Sequence, residues 1–388
     1  MTFLDSLNPH ARFAPDSGIV EIITYARGRD NLIPLWAGEG DAPTPQFICD
    51  AAIESLRAGH TFYTYQRGIP ELRQAISNYY ARNFDRQVPT DHCYVVGSGM
   101  QAIKLSIEAT LKAGDEAIFL TPAWPNFDGA LGVSGGKPVP VKLAFANGRW
   151  ALDIDALAAA VTPKTKVLFI NTPSNPTGWT ATHDDLKAIL ALARKHGLWI
   201  IADEIYAMYH FPGGRAPSFL DIREEGDRIL FVNSFSKNWL MTGWRVGWIV
   251  APPELGQIIE NLVQYSTSGV AEFMQRGGVV ALEQGDDLVR ANVEKARTSR
   301  DILCDALIAT NRVETRKPDG AIYAFLKIDG VTDSRVTTLD IVDKTGVCMA
   351  PGTAFGPGGE QFIRACFLRD PAQVQAAAER LVEYVKRL

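Results

Sequence analysis

Cysteine is scarce in these 388 residues: there are five, at positions 49, 93, 304, 348 and 366, with no C-x-x-C pair and no histidine at ligand spacing. An odd number so widely separated gives no disulfide framework and no metal set, and reads as reduced, buried thiols. A basic stripe is missing too. The 39 Lys and Arg against 44 Asp and Glu leave a formal charge of -5, so nothing electrostatic points to nucleic acid or an anionic membrane. No stretch approaches the roughly 18 uninterrupted apolar residues of a spanning helix. The start, "MTFLDSLNPHARF", has no basic region followed by an apolar run, which excludes an export signal of the usual pattern and leads to the expectation of a cytoplasmic enzyme. Repeats, low-complexity tracts and long linkers are also absent, so any domain boundary falls inside continuous compact structure.

What is present is enough apolar material for a sizeable core, 46% hydrophobic against 21% charged. The runs "CYVVG" (93–97), "AIFL" (117–120), "KVLFIN" (166–171), "LWIIADE" (198–204), "ILFVNS" (229–234) and "GWIVA" (247–251) read as buried strands. Between them, "MQAIKLSIEATLKAG" (100–114) and "HDDLKAILALARKHG" (183–197) read as helices, the second closed by glycine. This alternation implies an α/β protein with a mostly parallel sheet sandwiched by helices. Beyond about residue 285 the pattern becomes a smaller α+β unit, opened by a long charged helix. The expected organisation is an N-terminal arm over 1–45 that packs with the small domain, a large domain over 46–285 and a small C-terminal domain over 286–388.

Chemistry in such sheets gathers at the carboxyl ends of strands. Gly97-Ser98-Gly99-Met100-Gln101 is a small-residue turn opening a helix, able to hold a phosphate or merely to turn tightly. Trp124, flanked by prolines, can stack on a flat ring or simply pack. In "TPSNPTG" (172–178) two prolines and a glycine hold Asn175 in a rigid turn. Asp203 leaves an apolar strand, where a carboxylate is costly without a cationic partner, and Tyr206 follows it. "ILFVNS" delivers Ser234, Ser236 and Lys237, with Arg245 beyond, and three tryptophans in "SFSKNWLMTGWRVGW" (234–248) read mostly as packing. Each feature alone has an ordinary structural explanation. Together they describe one ligand that is flat, aromatic and phosphorylated, with a protonatable ring nitrogen and a carbonyl for an amine: pyridoxal 5'-phosphate.

The ordered set resembles the class I/II aminotransferases of fold type I, the aspartate aminotransferase superfamily, over nearly the whole chain. "AGEGDAPTP" (37–45), "YTYQRGIPELR" (63–73), "NPTG", "ADEIY", "SFSKNWLMTGWRVGW", "PGTAFG" (351–356) and "FIRACF" follow in that family's order. The resemblance implies a fold-type I pyridoxal-phosphate transferase, with a large sheet domain and a smaller α+β domain. It implies that Lys237 bonds to the cofactor aldehyde and, once freed, serves as general base. Asp203 pairs with the ring nitrogen and keeps it protonated, Tyr206 and Asn175 hydrogen-bond the ring oxygen, and Trp124 stacks on the ring. The phosphate falls to amides around Ser98, Gly99, Met100 and Gln101, to Ser234 and Ser236, to Arg245, and to Tyr63 reaching across a homodimer with shared sites. Arg364, inside the apolar "FIRACF", grips the substrate α-carboxylate with the amide of Gly38, while Trp124 and Asn175 also border the substrate. The implied reaction is two half-transaminations between an L-amino acid and a 2-oxo acid.

Aspartate specialists need a second cation. Where some relatives carry a lysine this chain has Met100, and the loop "YSTSGVAEFMQ" (265–275), where others carry an arginine, has Glu272 as its one charge. A neutral, aromatic or sulfur side chain is therefore expected of the donor. Glu272 reads as a solvated loop charge or, less simply, as a receptor for a cationic side chain. Gly40 replaces the family's proline and is expected to loosen the arm. The runner-up is a C–S lyase or synthase on the same cofactor. A sensing module of a regulator would need a DNA-binding domain ahead of it. Ser234 to Lys237 also fits S-x-x-K of penicillin-recognising acylases, with K-T-G at 344–346, yet no separate S-x-N lies between them and Lys344-Thr345-Gly346 reads as a helix end.

Overall fold

Seven strands build the central sheet of this computed structural model, which describes residues 3–388. They are β1 (Cys93–Val96), β2 (Glu116–Thr121), β3 (Lys137–Lys142), β4 (Thr165–Asn171), β5 (Trp199–Asp203), β6 (Ile229–Ser234) and β7 (Gly247–Val250). Across the sheet the order is β1-β7-β6-β5-β4-β2-β3. All neighbours are parallel except β7, which runs antiparallel to both β1 and β6. The continuous apolar runs become strands buried on both faces: every residue of β1, β6 and β7 is buried. Strand β3, "KPVPVK", is the exposed exception. Its Pro138 and Pro140 lack a ladder N–H, which an edge strand tolerates.

On one face Tyr79, Phe235, Trp239 and Trp248 form an aromatic cluster with ring centroids 5.0 to 6.3 Å apart. Trp239 and Trp248 are fully buried, while Trp244 donates through Nε1 to Thr44 Oγ1 at 2.9 Å, so all three tryptophans of that segment pack as expected. The helix expected over 100–114 runs instead from Gly99 to Thr110. Leu111 is already extended, and the Asp115 carboxylate takes the amide of Lys112, so the chain turns before the glycine. The helix His183–His196 follows its signals closely, with a Thr182/Asp185 capping box and Gly197 left-handed at φ 66°.

The helix Asp286–Ile308 begins where the sequence pattern changes. It packs with Ser334–Thr345 and Pro371–Val385 around a sheet of Val313–Glu314, Tyr323–Ile328, Ala350–Pro351 and Phe362–Cys366, whose paired strands are all antiparallel. Lys344 and Thr345 do end a helix, closed by Gly346 at φ 69°. The N-terminal segment joins this unit: Ile33–Pro34 pairs in parallel with Val347–Cys348, Leu35 N donates to Cys348 O at 2.7 Å, and Cys366 N donates to Leu35 O at 2.8 Å. All five cysteines are free thiols, four of them buried. Among the described residues no helix is long and apolar enough to cross a membrane.

Trp248 fills the middle of the aromatic cluster and donates to Tyr80 Oη at 3.0 Å. Trp248→Ala is expected to lower unfolding free energy by about 3–5 kcal/mol, read as a shifted denaturant midpoint with an unchanged slope.

Candidate active site

The carboxyl ends of β4, β5 and β6 and the turn after β1 open into a cavity of about 320 Å³ roofed by the small sheet and the arm. Its phosphate-sized end is made by close backbone approach. Ser98 sits at φ 126° and its Oγ caps the following helix at Gln101 N, 3.1 Å away. Gly247 of β7 pairs with Ser234 of β6. A Cβ added at Gly247 would lie 2.8 Å from the Ser98 carbonyl carbon and 2.9 Å from Gly99 N, so glycine is what lets the turn lie against these strands. Ser234 Oγ donates to Ser236 Oγ at 2.9 Å and accepts from Ser236 N at 3.1 Å, which aims both serines. Gly99, Met100, Ser234, Ser236 and Arg245 line this end. Ser98 and Gln101 do not: the Ser98 hydroxyl is spent on its cap, and Gln101 ties Gly97 N to Ser266 and Thr267. Tyr63 also lies outside the cavity, 91% exposed.

Asp203 ends β5 and is buried at 4% exposure. Its carboxylate accepts from Ile205 N at 3.3 Å and has no ion-pair partner among the described residues. Burial, opposed by that amide and by the charge of Lys237, pushes the carboxyl up to about 7. The cationic partner expected from the sequence is therefore not a side chain of this fold. Beside it, Asn171 at the end of β4 donates to Asp203 O at 3.2 Å and accepts from Asn175 N at 2.8 Å, which fixes the "NPTG" turn to the strand ends.

Lys237 reaches into the same cavity and donates to the carbonyl of Gly38. Burial drives its amine down to about 8, against the smaller opposing effect of Cys366 and Glu39. Gly38 is bound to be glycine here, because a Cβ would lie 2.0 Å from Tyr323 Oη. Gly40 is less tightly held: a Cβ there would lie 2.9 Å from the tip of the Leu240 side chain, which can shift to make room.

Arg364 is 2% exposed and faces no carboxylate. Its guanidinium lies between the rings of Tyr323 at 4.6 Å and Phe355 at 4.8 Å. It donates to Asn175 Oδ1 at 3.1 Å and to the Trp36 carbonyl, and its Nε has no partner. A buried guanidinium held only by neutral acceptors favours an incoming anion. Tyr206, expected beside Asn175, shares a 2.7 Å hydrogen bond with Tyr323 Oη. The expected Gly38, Trp124, Asn175, Asp203, Tyr206, Lys237 and Arg364 thus share one cavity. Sequence reasoning missed Tyr323, Asn171, Ile205, Ile19, Asn126 and Thr242, which line it too. Ile205 had a usable signal, lying between Asp203 and Tyr206 on the same turn.

The donor set suits pyridoxal 5'-phosphate: a glycine-built cradle for the phosphate, an unpaired carboxylate for a ring nitrogen, an amine of lowered basicity for an aldehyde, and Trp124 and Ile205 to flank a ring. Residues 30–381 match the family model for aminotransferase class I and II. The chain belongs to that family. It is accordingly a pyridoxal-phosphate-dependent aminotransferase of the fold-type I architecture. Similar proteins include arginine–pyruvate transaminase of Pseudomonas aeruginosa, 31% identical over 91% of this chain and 89% of its own length. Aspartate aminotransferase of Pyrococcus abyssi is 32% identical over 99% and 97%. Among solved structures, the aspartate aminotransferase from Rhizobium meliloti superposes with a TM-score of 0.91 at 29% identity, covering 99% of both chains.

In this aminotransferase only the neutral amine of Lys237 can attack an aldehyde. Covalent attachment of pyridoxal phosphate to cofactor-free protein should therefore accelerate as pH rises through about 8 and then level off, followed by absorbance. A rate still climbing steeply near the ordinary lysine value of about 10.4 would contradict the buried amine, and Lys237→Ala should show no borohydride-fixed adduct.

Proposed function

We propose that the enzyme takes its amino group from an L-amino acid with a neutral, aromatic or sulfur-containing side chain in preference to aspartate, and passes it to a 2-oxo acid by a ping-pong mechanism. The observation that carries this is Met100, which faces the cavity. Ile19, Ile103, Trp124 and Asn126 line the same cavity, and the cations lining it are Lys237, Arg245 and Arg364. Each of these three has a task in the reaction, so none is left for a distal carboxylate. Arg276, just past the 265–275 loop, is held by Glu71 at 2.9 Å and Glu272 at 2.8 Å. The same pairing engages Glu272 through Oε1. Relatives carry names as different as arginine–pyruvate, aspartate and, in Thermococcus litoralis at 30% identity, aromatic-amino-acid aminotransferase, so the choice rests on the cavity wall.

When bound, the cofactor supplies an electron sink joined to the donor's amino group. Asp203 would hold the proton on the ring nitrogen, and the low-dielectric end of β5 makes that ion pair strong. Arg364, oriented by Asn175 and its two flanking rings, would take the donor carboxylate in a fork. Lys237, its basicity lowered by desolvation, would accept the Cα proton of the donor. Ser234, Ser236, Arg245 and the amides of Gly99 and Met100 would anchor the phosphate, and the Met100 side chain would stand with Ile19 and Ile103 in the cavity wall.

We also propose a homodimer in which Tyr63 completes a neighbour's site. Phe62, Tyr63, Tyr65 and Tyr265 are 84%, 91%, 66% and 86% exposed. The two segments meet through Gln66 and Gln264 at 2.8 Å, giving one aromatic surface of the kind a second copy would cover.

Donor choice is tested by kcat/KM for phenylalanine, methionine, arginine and aspartate with one oxo acid. Phenylalanine or methionine should exceed aspartate by about tenfold or more, and Met100→Lys should narrow that gap. A wild-type preference for aspartate contradicts the proposal. Pyruvate release without an oxo-acid acceptor would point to a lyase instead.

A further inference from the structure

Tyr323 has no assigned task, yet it touches three working parts of the site. Its hydroxyl meets that of Tyr206 at 2.7 Å, with the rings edge-on at 82°. Its ring face lies against the Arg364 guanidinium, and its hydroxyl fills the space that a side chain at Gly38 would need. The backbone fixes this placement, because Tyr323 opens a strand in register with Cys366, two residues from Arg364. Neither phenol has another hydrogen-bond partner among the described residues, and both are buried, at 3% and 1% exposure.

We propose that Tyr323 is a positioning residue, whose hydroxyl donates to Tyr206 and so directs the proton of Tyr206 toward the cavity. This rests on the reading that Tyr206 faces the cofactor's ring oxygen. Two phenols bring two protons to one short contact, and only one can lie between the oxygens. Burial holds both hydroxyls far above the ordinary tyrosine value, so neither proton is lost at working pH. If the proton of Tyr206 goes to the cofactor, the proton of Tyr323 is left for the contact, since it has no other acceptor. A chain of donors running one way polarises each member, which makes Tyr206 a stronger donor than a lone phenol. The same ring braces Arg364, so the carboxylate fork and the ring-oxygen donor are held in register by one side chain.

The test is a pH titration of the bound cofactor's visible absorbance in wild type, Tyr323→Phe, Tyr206→Phe and the double variant. Donation from Tyr206 favours the deprotonated chromophore, so losing Tyr323 should raise the midpoint by roughly half a pH unit or more. Tyr206→Phe should raise it further, and adding Tyr323→Phe to Tyr206→Phe should change nothing, because the effect passes through Tyr206. Donor KM should stay within about twofold in Tyr323→Phe, since phenylalanine keeps the ring over Arg364. An unchanged or lowered midpoint in Tyr323→Phe overturns the inference, as does an equal rise in the Tyr206→Phe background. Wild-type protein that binds pyridoxal phosphate but shows no midpoint change in Tyr206→Phe would instead overturn the reading beneath it.

Discussion

Two ionisable groups, the buried carboxylate of Asp203 and the half-buried amine of Lys237, share one cavity without an ion-pair partner among the described residues. Burial moves both toward their neutral forms, to about 7 and about 8. Such an arrangement is unfavourable in the free protein and persists only where the surroundings over-determine it. Here β5 is pinned between β4 and β6, and the Asn171 side chain ties two strand ends together. Arg364 repeats the theme as a guanidinium stacked between aromatic rings and bonded to neutral oxygens. In the proposed reading, a ring-nitrogen cation, an aldehyde and a substrate carboxylate would complement these three groups.

The backbone makes that arrangement possible through close approaches that only glycine permits. Gly247 brings the turn at Ser98 and Gly99 against β6 and β7, and Gly38 lets the arm lie on Tyr323. The arm is consequently part of the site. Its Trp36 and Gly38 carbonyls hold Arg364 and Lys237, the two cations proposed to engage substrate and cofactor. Replacing these carbonyls by ligand groups exchanges one set of acceptors for another with little loss of hydrogen bonding.

Much of this was legible in the sequence because parallel sheets leave a simple trace. Buried strands read as apolar runs, and a charged or polar residue at the end of one is conspicuous, which is how Asp203, Asn175, Ser234 and Lys237 stand out. The cost of a charge inside "FIRACF" similarly exposed Arg364. Tyr323 left no such trace: an aromatic in a core strand is the commonest of observations, and its partner Tyr206 lies 117 residues away. Ile19 was equally silent, since its place in the cavity depends on how the N-terminal segment packs against Phe325, Phe355 and Phe362, far away in the chain. Helix ends were read less well than helices, as the early stop at Thr110 shows, because a single carboxylate from Asp115 can redirect the chain.

In the proposed mechanism the unpaired Asp203 holds a proton on the cofactor's ring nitrogen. The most direct measurement is the single-turnover rate of the first half-reaction in Asp203→Ala, with cofactor binding checked separately by absorbance. Losing one member of a buried charge pair costs on the order of 3 kcal/mol, so the rate should fall roughly 100-fold or more while the cofactor remains attached to Lys237. A rate within a few-fold of wild type, with the cofactor bound, would contradict the account.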